Sequence, residues 1–490
     1  MNHNLGALVG AIGLTAQPGW EKIEIDAISE DSRRIRPGSL FVAICGYIED
    51  GRDYIEDALS RGASAVVIEG TALSLPVPCI SVCNARAALA SFSAALFGGP
   101  TQKLFTVGVT GTNGKTTVCH LSAHLLGEER TVLISTVANE ARSLHAVTTP
   151  GSPLIQRLAR EGVDAGKENL VLETSSAALL LHRVDCVDFD AAVFTNLSHD
   201  HLDLHKDMEA YLAAKLRLFQ GLKPEATAIV NVDDPAADRV LAAGTGRVLT
   251  YAVHGNANLR AEAIRCELQK TTFTLRIGAE AQPIELQLPG GHNIYNALAA
   301  AAVGMVSGIP LVTIAERLKT ARSVDGRYLF FRAKNGATVI VDFAHSPDAL
   351  EKMLTSLRPH CDKLISLFGC SGESDRKKRP LMGAVSGTLA DMTILTDDNP
   401  KREDPQAIIS EIEAGIIPTG GSYERIADRR EAIRRALDLA KETDILLIAG
   451  KGHEPYQIIG REFVPYNDAV FLCETGLVRV ARHDLQGDSH

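Results

Sequence analysis

The sequence predicts an α/β fold divided into three domains. Three observations lead there. The chain has 490 residues, too many for one ordinary core. Short apolar runs alternate with polar loops and helical stretches, the pattern of a mostly parallel sheet with helices on both faces. That pattern restarts twice, after Gly98-Gly99-Pro100 and again near residue 331, so the predicted units are 1–100, 101–330 and 331–490.

In the first unit, strand signals at 39–44 and 65–68 flank a helical stretch at 53–60. In the second, a buried strand at 104–110 precedes Val118, Leu121, Leu125 and Leu126 at helical spacing. Further strands follow at 170–173 and 191–194. The third unit reads as strands at 338–342, 363–367, 392–395 and 444–448, in a Rossmann-like alternation, each followed by a loop rich in glycine or charge. In open α/β sheets ligands bind beyond the carboxyl ends of the strands, so those loops should carry the chemistry.

Apolar residues make up 45% and aromatics 5%, which suits such a fold. The net charge of −10 excludes a general nucleic-acid binder but leaves room for a local basic pocket. The nine cysteines are scattered, Cys79 and Cys83 being the closest pair, with no Cys-His metal spacing; reduced thiols in a cytoplasmic protein are expected. The mildly apolar segment 5–16 lacks a preceding positive region, so it does not read as a signal peptide. The run 297–306 is too short to span a bilayer, and no membrane insertion is expected.

The clearest chemical signal is Gly111-Thr112-Asn113-Gly114-Lys115-Thr116-Thr117, between a strand and a helix. Glycines let backbone N–H groups close around phosphate oxygens, and the helix N-terminus adds positive charge. Lys115 would reach the β/γ-phosphates of ATP and the Thr116 hydroxyl would coordinate Mg²⁺. The usual phosphate-loop pattern fails at one position, where Val109 replaces the first glycine. The plain alternative is a glycine-rich turn with a solvated lysine.

Glu173 ends an apolar strand and suits a hard cation that wants oxygen ligands; a capping acid is the alternative. Residues 196–205, Asn-Leu-Ser-His-Asp-His-Leu-Asp-Leu-His, gather histidines and aspartates after a strand without a zinc-helix spacing, and could equally be a polar loop with helix caps. Lys215 falls on the apolar face formed by Met208, Tyr211, Leu212, Phe219 and Leu222. Burial would lower its pKa, and a neutral amine can take up CO₂ as a carbamate. A snorkelling lysine is the alternative.

These motifs, with Tyr211-x-x-Ala-Lys215, Gly291-x-Asn-x-Tyr-Asn296, Gly326-Arg327, Asp342-x-Ala-His-x-Pro347, Lys378-Arg-Pro-Leu-Met382, Asp398-Asn-Pro400 and Gly450-Lys-Gly-His-Glu454, resemble the Mur ligase family of peptidoglycan synthesis, and most of all its member that adds the third amino acid. The resemblance runs over nearly the whole chain. It implies an N-terminal uridine-binding domain, a central ATP domain and a C-terminal amino-acid domain. It implies UDP-N-acetylmuramoyl-L-alanyl-D-glutamate as acceptor, a diamino acid as donor, ATP, Mg²⁺ and a monomer. On its terms Ser32, Thr148, Thr149, Ser175, Ser176 and Arg183 hold the UDP substrate. Asn293 and Asn296 lie on the nucleotide side, with Arg327 and His345 near the phosphates. Lys215 is the carbamylated lysine, beside a second Mg²⁺ near His201.

The donor motifs depart from the family. Enzymes that add meso-diaminopimelate usually carry Asp-Asn-Pro-Arg; here Asp398-Asn399-Pro400 is followed by Lys401 and then Arg402. A second family arginine falls on Ser374. Arginine grips a carboxylate with two prongs and lysine offers a point charge. Lys401, Gly450 and Glu454 still favour meso-diaminopimelate, with Arg376 or Arg402 as substitute cations; L-lysine or another diamino acid stays open. Smaller departures are Ala177 for a common His, His292 for Phe and Phe343 for Tyr. A related ligase such as a folylpolyglutamate synthetase, or a regulatory NTPase using the same loop, is a rival reading.

Overall fold

The computed structural model describes residues 3–46, 49–144, 147–244 and 246–479, so the last stretch of the third predicted unit, 480–490, lies outside the described residues. In the first unit, strands Ala27–Ser29, Ser39–Ala43, Ala63–Glu69 and Cys79–Val82 form a parallel four-stranded sheet in that order. Their alternation is strict. Leu40, Val42, Ala65 and Val67 pack with Leu89, Phe92 and Leu96 of helix Ala85–Leu96. Phe41, Ala43, Val66 and Ile68 face the other way, with Ile55 and Ala58 of helix Ile55–Ser60. The helix expected at 53–60 begins as a 3-10 turn, Gly51–Tyr54, because the Asp50 carboxylate caps the Arg52 N–H.

The second unit is built on a nine-stranded sheet. Its parallel part runs Thr131–Ile134, Asn169–Glu173, Phe105–Thr110, Ala191–Phe194, Thr227–Asn231, Arg247–Ala252 and Leu259–Cys266. Helices Lys115–Leu126 and Gly291–Val306 cover one face, and Ser152–Asp164 and Met208–Gln220 the other. The sheet ends in an antiparallel meander through Thr271–Ile277 and Glu280–Leu286. Phe105–Thr110 and Asn169–Glu173 are neighbours in register, so the phosphate loop and Glu173 emerge side by side from the carboxyl edge.

The third unit has a seven-stranded sheet: Tyr423–Arg425, Met392–Leu395, Leu364–Phe368, Ile445–Ala449 and Thr338–Asp342 run parallel, followed by antiparallel Leu329–Arg332 and Val478–Arg479. The loop after Thr338–Asp342 shares a cavity with residues 112–117 of the second unit, and the loop after Leu364–Phe368 meets that unit through Asp375 and His199.

Several side-chain contacts close the second and third units on each other. Asn113 Nδ2 donates to Asp348 (2.7 Å), His199 Nε2 meets Asp375 (3.0 Å), Lys378 Nζ meets Asp200 (3.3 Å), and Tyr456 donates its hydroxyl hydrogen to Glu140 (3.2 Å). The nine cysteines are all free thiols. Among the described residues no helix is long and apolar enough to cross a membrane.

Candidate active site

Strand Phe105–Thr110 delivers the chain into a loop that only glycine permits at two points. Gly111 has φ of 150°, and a Cβ there would sit on Thr195 Oγ1; Gly114 has φ of 86° and abuts Asn296. Helix Lys115–Leu126 then starts with its free N–H groups pointing back at the loop. Lys115 Nζ donates to the carbonyls of Gly111 (3.1 Å) and Thr112 (2.8 Å), so its ammonium already lies over the phosphate cradle. Asn113 and Thr117 line the same cavity.

Glu173 ends the neighbouring strand and is buried. Both its oxygens accept from the Thr116 hydroxyl at 3.1 Å, and Oε2 also accepts from Thr136 N–H (3.0 Å) and Thr136 Oγ1 (3.1 Å). This is an oxygen-only pair of donors at the phosphate end of the cavity, which fits Mg²⁺ once nucleotide phosphates complete the shell. Among the described residues no cluster of three or more His, Cys, Asp or Glu stands ready to hold a metal alone.

Lys215 does not snorkel. Helix Met208–Gln220, capped by the Asp207 carboxylate, presents it inward with Tyr211, Leu212 and Phe219, and it is 1% exposed. Its Nζ donates to the Gly111 carbonyl at 2.8 Å and lies 4.1 Å from the Tyr211 ring centroid. Burial first, then the Lys115 charge, hold its pKa well below the ordinary lysine value. Lys115 and Lys215 thus share one carbonyl, and burial disfavours the charged form of the second.

Asp200, which the sequence reading left unassigned within the His-Asp-His run, is the electrostatic centre of the junction. It faces Lys378 (3.3 Å), His345 (3.7 Å) and His201 (3.8 Å). Burial opposes its ionisation, but these three partners hold its carboxyl well below the carboxylate range. His201 has φ of 56° and lines the cavity mouth. His345 donates from Nδ1 to the Phe343 carbonyl (2.8 Å), and burial pushes its pKa down to about 4. Arg327 stacks on Phe343 at 4.4 Å, and its buried Nε has no hydrogen-bond partner, as a group waiting for an anion would. Asn296 donates to Asn293, which in turn donates to the Pro289 carbonyl, fixing both amides at the loop. The cavity between the units holds about 560 Å³.

Thr148, Thr149, Ser175, Ser176 and Arg183 gather beyond Glu173. Thr149 donates to the Glu173 carbonyl (2.7 Å), Ser176 meets His205 (2.9 Å), and Arg183 donates to the Thr149 carbonyl (2.9 Å). Thr148 accepts from Thr136 at 3.2 Å, and Ser175 caps helix Ser176–Leu180. Arg183 also lines a second cavity of about 240 Å³ with Glu30, Tyr54, Arg86 and Ser152, at the seam between first and second units. Ser32 is buried and lies outside that cavity.

The donor motifs come together on the third sheet. Asn399 donates to Glu454 (2.9 Å), Asp398 accepts from Ser371 (2.9 Å), and a Cβ on Gly450 would press on Asp398 at 2.8 Å. Lys451, which sequence reasoning passed over, is fully buried and donates to both Asn399 and Glu454 at 2.9 Å. Its motif was visible, but nothing in the spacing marked it as the inward residue. Pro400 leads into Lys401, which has φ of 53° and is tied through its backbone to Ile458 (2.9 Å). Ser374 is half-buried on the facing loop. The two substitute arginines are engaged elsewhere: Arg402 binds Glu373 at 2.5 Å and Arg376 pairs with Glu411.

Three family models match the chain in the order of its units: the Mur ligase family catalytic domain over 24–95, the Mur ligase middle domain over 109–304 and the Mur ligase glutamate ligase domain over 326–452. The chain belongs to the Mur ligase family. A relative from Caldanaerobacter subterraneus is 40% identical over 463 residues, 93% of this Mur ligase and 95% of the relative. One from Geobacillus thermodenitrificans is 41% identical over 458 residues, 91% and 93% of the two chains. Both are named UDP-N-acetylmuramoyl-L-alanyl-D-glutamate–2,6-diaminopimelate ligase. A solved structure of an enzyme with that name is 32% identical, covers 97% of this Mur ligase and 98% of its own chain, and has a TM-score of 0.68. MurF from Thermotoga maritima in complex with ADP, 20% identical over 86% of this chain and 93% of its own, shares the fold at a TM-score of 0.62.

Proposed function

We propose that this Mur ligase joins meso-diaminopimelate to the D-glutamate γ-carboxylate of UDP-N-acetylmuramoyl-L-alanyl-D-glutamate, converting ATP to ADP and phosphate in the cytoplasm. The observation that carries the reading is the meeting of Lys115 and Lys215 on the Gly111 carbonyl, at 3.1 and 2.8 Å, with Glu173 and Thr116 beside them. The first unit, 1–100, takes the uridine end, 101–330 takes ATP, and 331–490 takes the donor.

A carboxylate is a poor electrophile and must be activated. An oxygen of the glutamyl carboxylate attacks the γ-phosphorus, the bond to the bridging oxygen breaks, and ADP leaves. The donor amine then attacks the acyl carbon, phosphate leaves, and the nitrogen gives up a proton. Little covalent work falls to the protein, which positions groups and neutralises charge. Lys115 and Arg327 face the transferring phosphoryl group. Asp200, through Lys378 and His345, aligns the donor unit over it. Thr116 and Glu173 would hold Mg²⁺, which supplies charge neutralisation on the phosphates. Carbamylation of Lys215, by addition of its neutral amine to CO₂ with loss of a proton, gives a carboxylate near His201 suited to a second such ion. The protein works as a monomer.

A second donor has one specific observation in its favour. Ser374 and Lys401 replace forked cations, and Arg376 and Arg402 are held by Glu411 and Glu373. L-Lysine asks less of that loop. The test is product formation and ATP turnover with the UDP-linked dipeptide and meso-diaminopimelate, L-lysine or L-ornithine in turn. Product with meso-diaminopimelate supports the assignment. Saturation with lysine alone replaces the donor, and rapid ATP turnover without acceptor removes the ligase reading and revives the NTPase one.

A further inference from the structure

The donor loops, 397–400 and 449–454, leave two different strands, Met392–Leu395 and Ile445–Ala449, with Leu364–Phe368 between them in the sheet. No ladder hydrogen bond therefore sets one loop against the other. What spans them is a buried guanidinium from a third element. Arg429 opens helix Arg429–Leu439, and its side chain is 0% exposed. Its Nη1 donates to the Asp397 carbonyl (3.2 Å) and its Nη2 to the Ala449 carbonyl (2.9 Å), the residues just before Asp398 and Gly450. Nε and Nη2 also donate to the two oxygens of Asp468 at 2.8 Å each, and Tyr466 donates its hydroxyl hydrogen to the same carboxylate (2.8 Å). Asp468 is itself fully buried.

We infer that Arg429, oriented by Asp468, is a positioning residue for the donor amino acid: it fixes the separation of the Asp398-Asn399-Pro400 and Gly450-to-Glu454 loops. The inference rests on the donor role proposed for those loops. A planar fork with fixed hydrogen directions reaches two carbonyls and a carboxylate together. A lysine in its place keeps the charge opposite Asp468 but has no rigid fork. The packing of Gly450 on Asp398 makes the spacing sensitive, because a Cβ at Gly450 would lie only 2.8 Å from the Asp398 carboxylate. Lys451 ties the same two loops through Asn399 and Glu454, but inside the site itself. Arg429, with its side chain fully buried, works from beneath both loops.

The experiment compares the wild type with Arg429→Lys and Asp468→Asn, using hydrogen exchange of the unliganded proteins and steady-state kinetics. The expected result is faster exchange at 398–401 and 450–454 together, with helix Lys115–Leu126 unchanged. KM for the diamino acid should rise about tenfold while KM for ATP and for the UDP-linked dipeptide stays within about twofold, as misplacing the loops proposed to hold only the diamino acid requires. Unchanged exchange at the two loops overturns the inference, as does a uniform rise across the whole chain in both variants. So does an equal change in all three KM values. Absence of diamino-acid ligation by the wild type would instead count against the proposed function, while the exchange measurement would still decide the role of Arg429.

Discussion

Lys215 Nζ donates to the carbonyl oxygen of Gly111 across 2.8 Å, so the buried amine is joined directly to the first residue of the phosphate loop. A carboxyl group added to that amine leaves one N–H able to donate to the same carbonyl, which Lys115 also reaches.

Lys215→Ala is therefore expected to lower kcat by about a hundredfold or more, the scale of removing one preorganised electrostatic group. In wild type, activity should fall in CO₂-depleted buffer and return with bicarbonate. Carbon-13 NMR with labelled CO₂ should report a carbamate signal absent from the variant. Full activity in Lys215→Ala would end the carbamate proposal.

Glu173→Gln keeps the shape of the site and removes its negative charge. The Thr116 hydroxyl loses its anionic acceptor, and on the proposed role of Glu173 the cation loses a carboxylate ligand. The Mg²⁺ concentration for half-maximal rate should rise about tenfold or more. A magnesium titration at saturating ATP checks this.

The pair between Asp200 and Lys378 crosses between units with both side chains almost completely buried, at 3% and 7% exposure. Lys378→Met leaves Asp200 with only the two histidines and should cost about 3–5 kcal/mol of stability in the closed form, the usual penalty for stranding a buried charge. The Asp200→Asn, Lys378→Met double variant should recover part of that loss. Urea denaturation of the two single variants and the double variant measures the coupling; simple additivity would mean that the contact is not a working latch.

Lys401→Arg puts a forked cation at the turn where the resemblance leads us to expect one. KM for meso-diaminopimelate should fall several-fold, by about 1 kcal/mol, while any activity with L-lysine is unaffected, because lysine has no second carboxylate to grip. The donor panel repeated on the variant gives the answer.

His292 is pushed down to about 4 from its ordinary 6.5 by burial, and its Nδ1 has no partner. The folded state therefore resists protonation and the unfolded state does not. Stability from the neutral ring is complete above pH 6.5 and is lost as pH falls towards 4. Tm should decline across that window, and the decline should be shallower in His292→Gln. Differential scanning calorimetry over the same range makes the comparison.

How far the sequence reached depends on locality. Strands Ala191–Phe194, Thr338–Asp342 and Met392–Leu395 were legible to the residue, because short apolar runs between breakers have no other use. The 363–367 run appears one position later, as Leu364–Phe368, because the Lys363 side chain is left outside the sheet core. Thr131–Ile134 was not read because its apolar run, Val132 to Ile134, is only three residues long, and the meander to Leu286 was not read because its strands alternate buried and exposed residues. Lys215 was legible as a misfit on an apolar face. Asp200, Lys451 and Arg429 were not, because Lys378, Asn399 and Asp468, which they meet, are distant in sequence and charge alone does not reveal burial.

The nucleotide cavity has one wall from residues 112–117 and another from Arg327, Asp342, His345 and Lys352. Asn113 is bound to Asp348 and His199 to Asp375, so a nucleotide held there as proposed lies between two sheets rather than in a cleft on one of them. On that reading the release of ADP breaks contacts between units, a step of the kind that limits turnover in many enzymes.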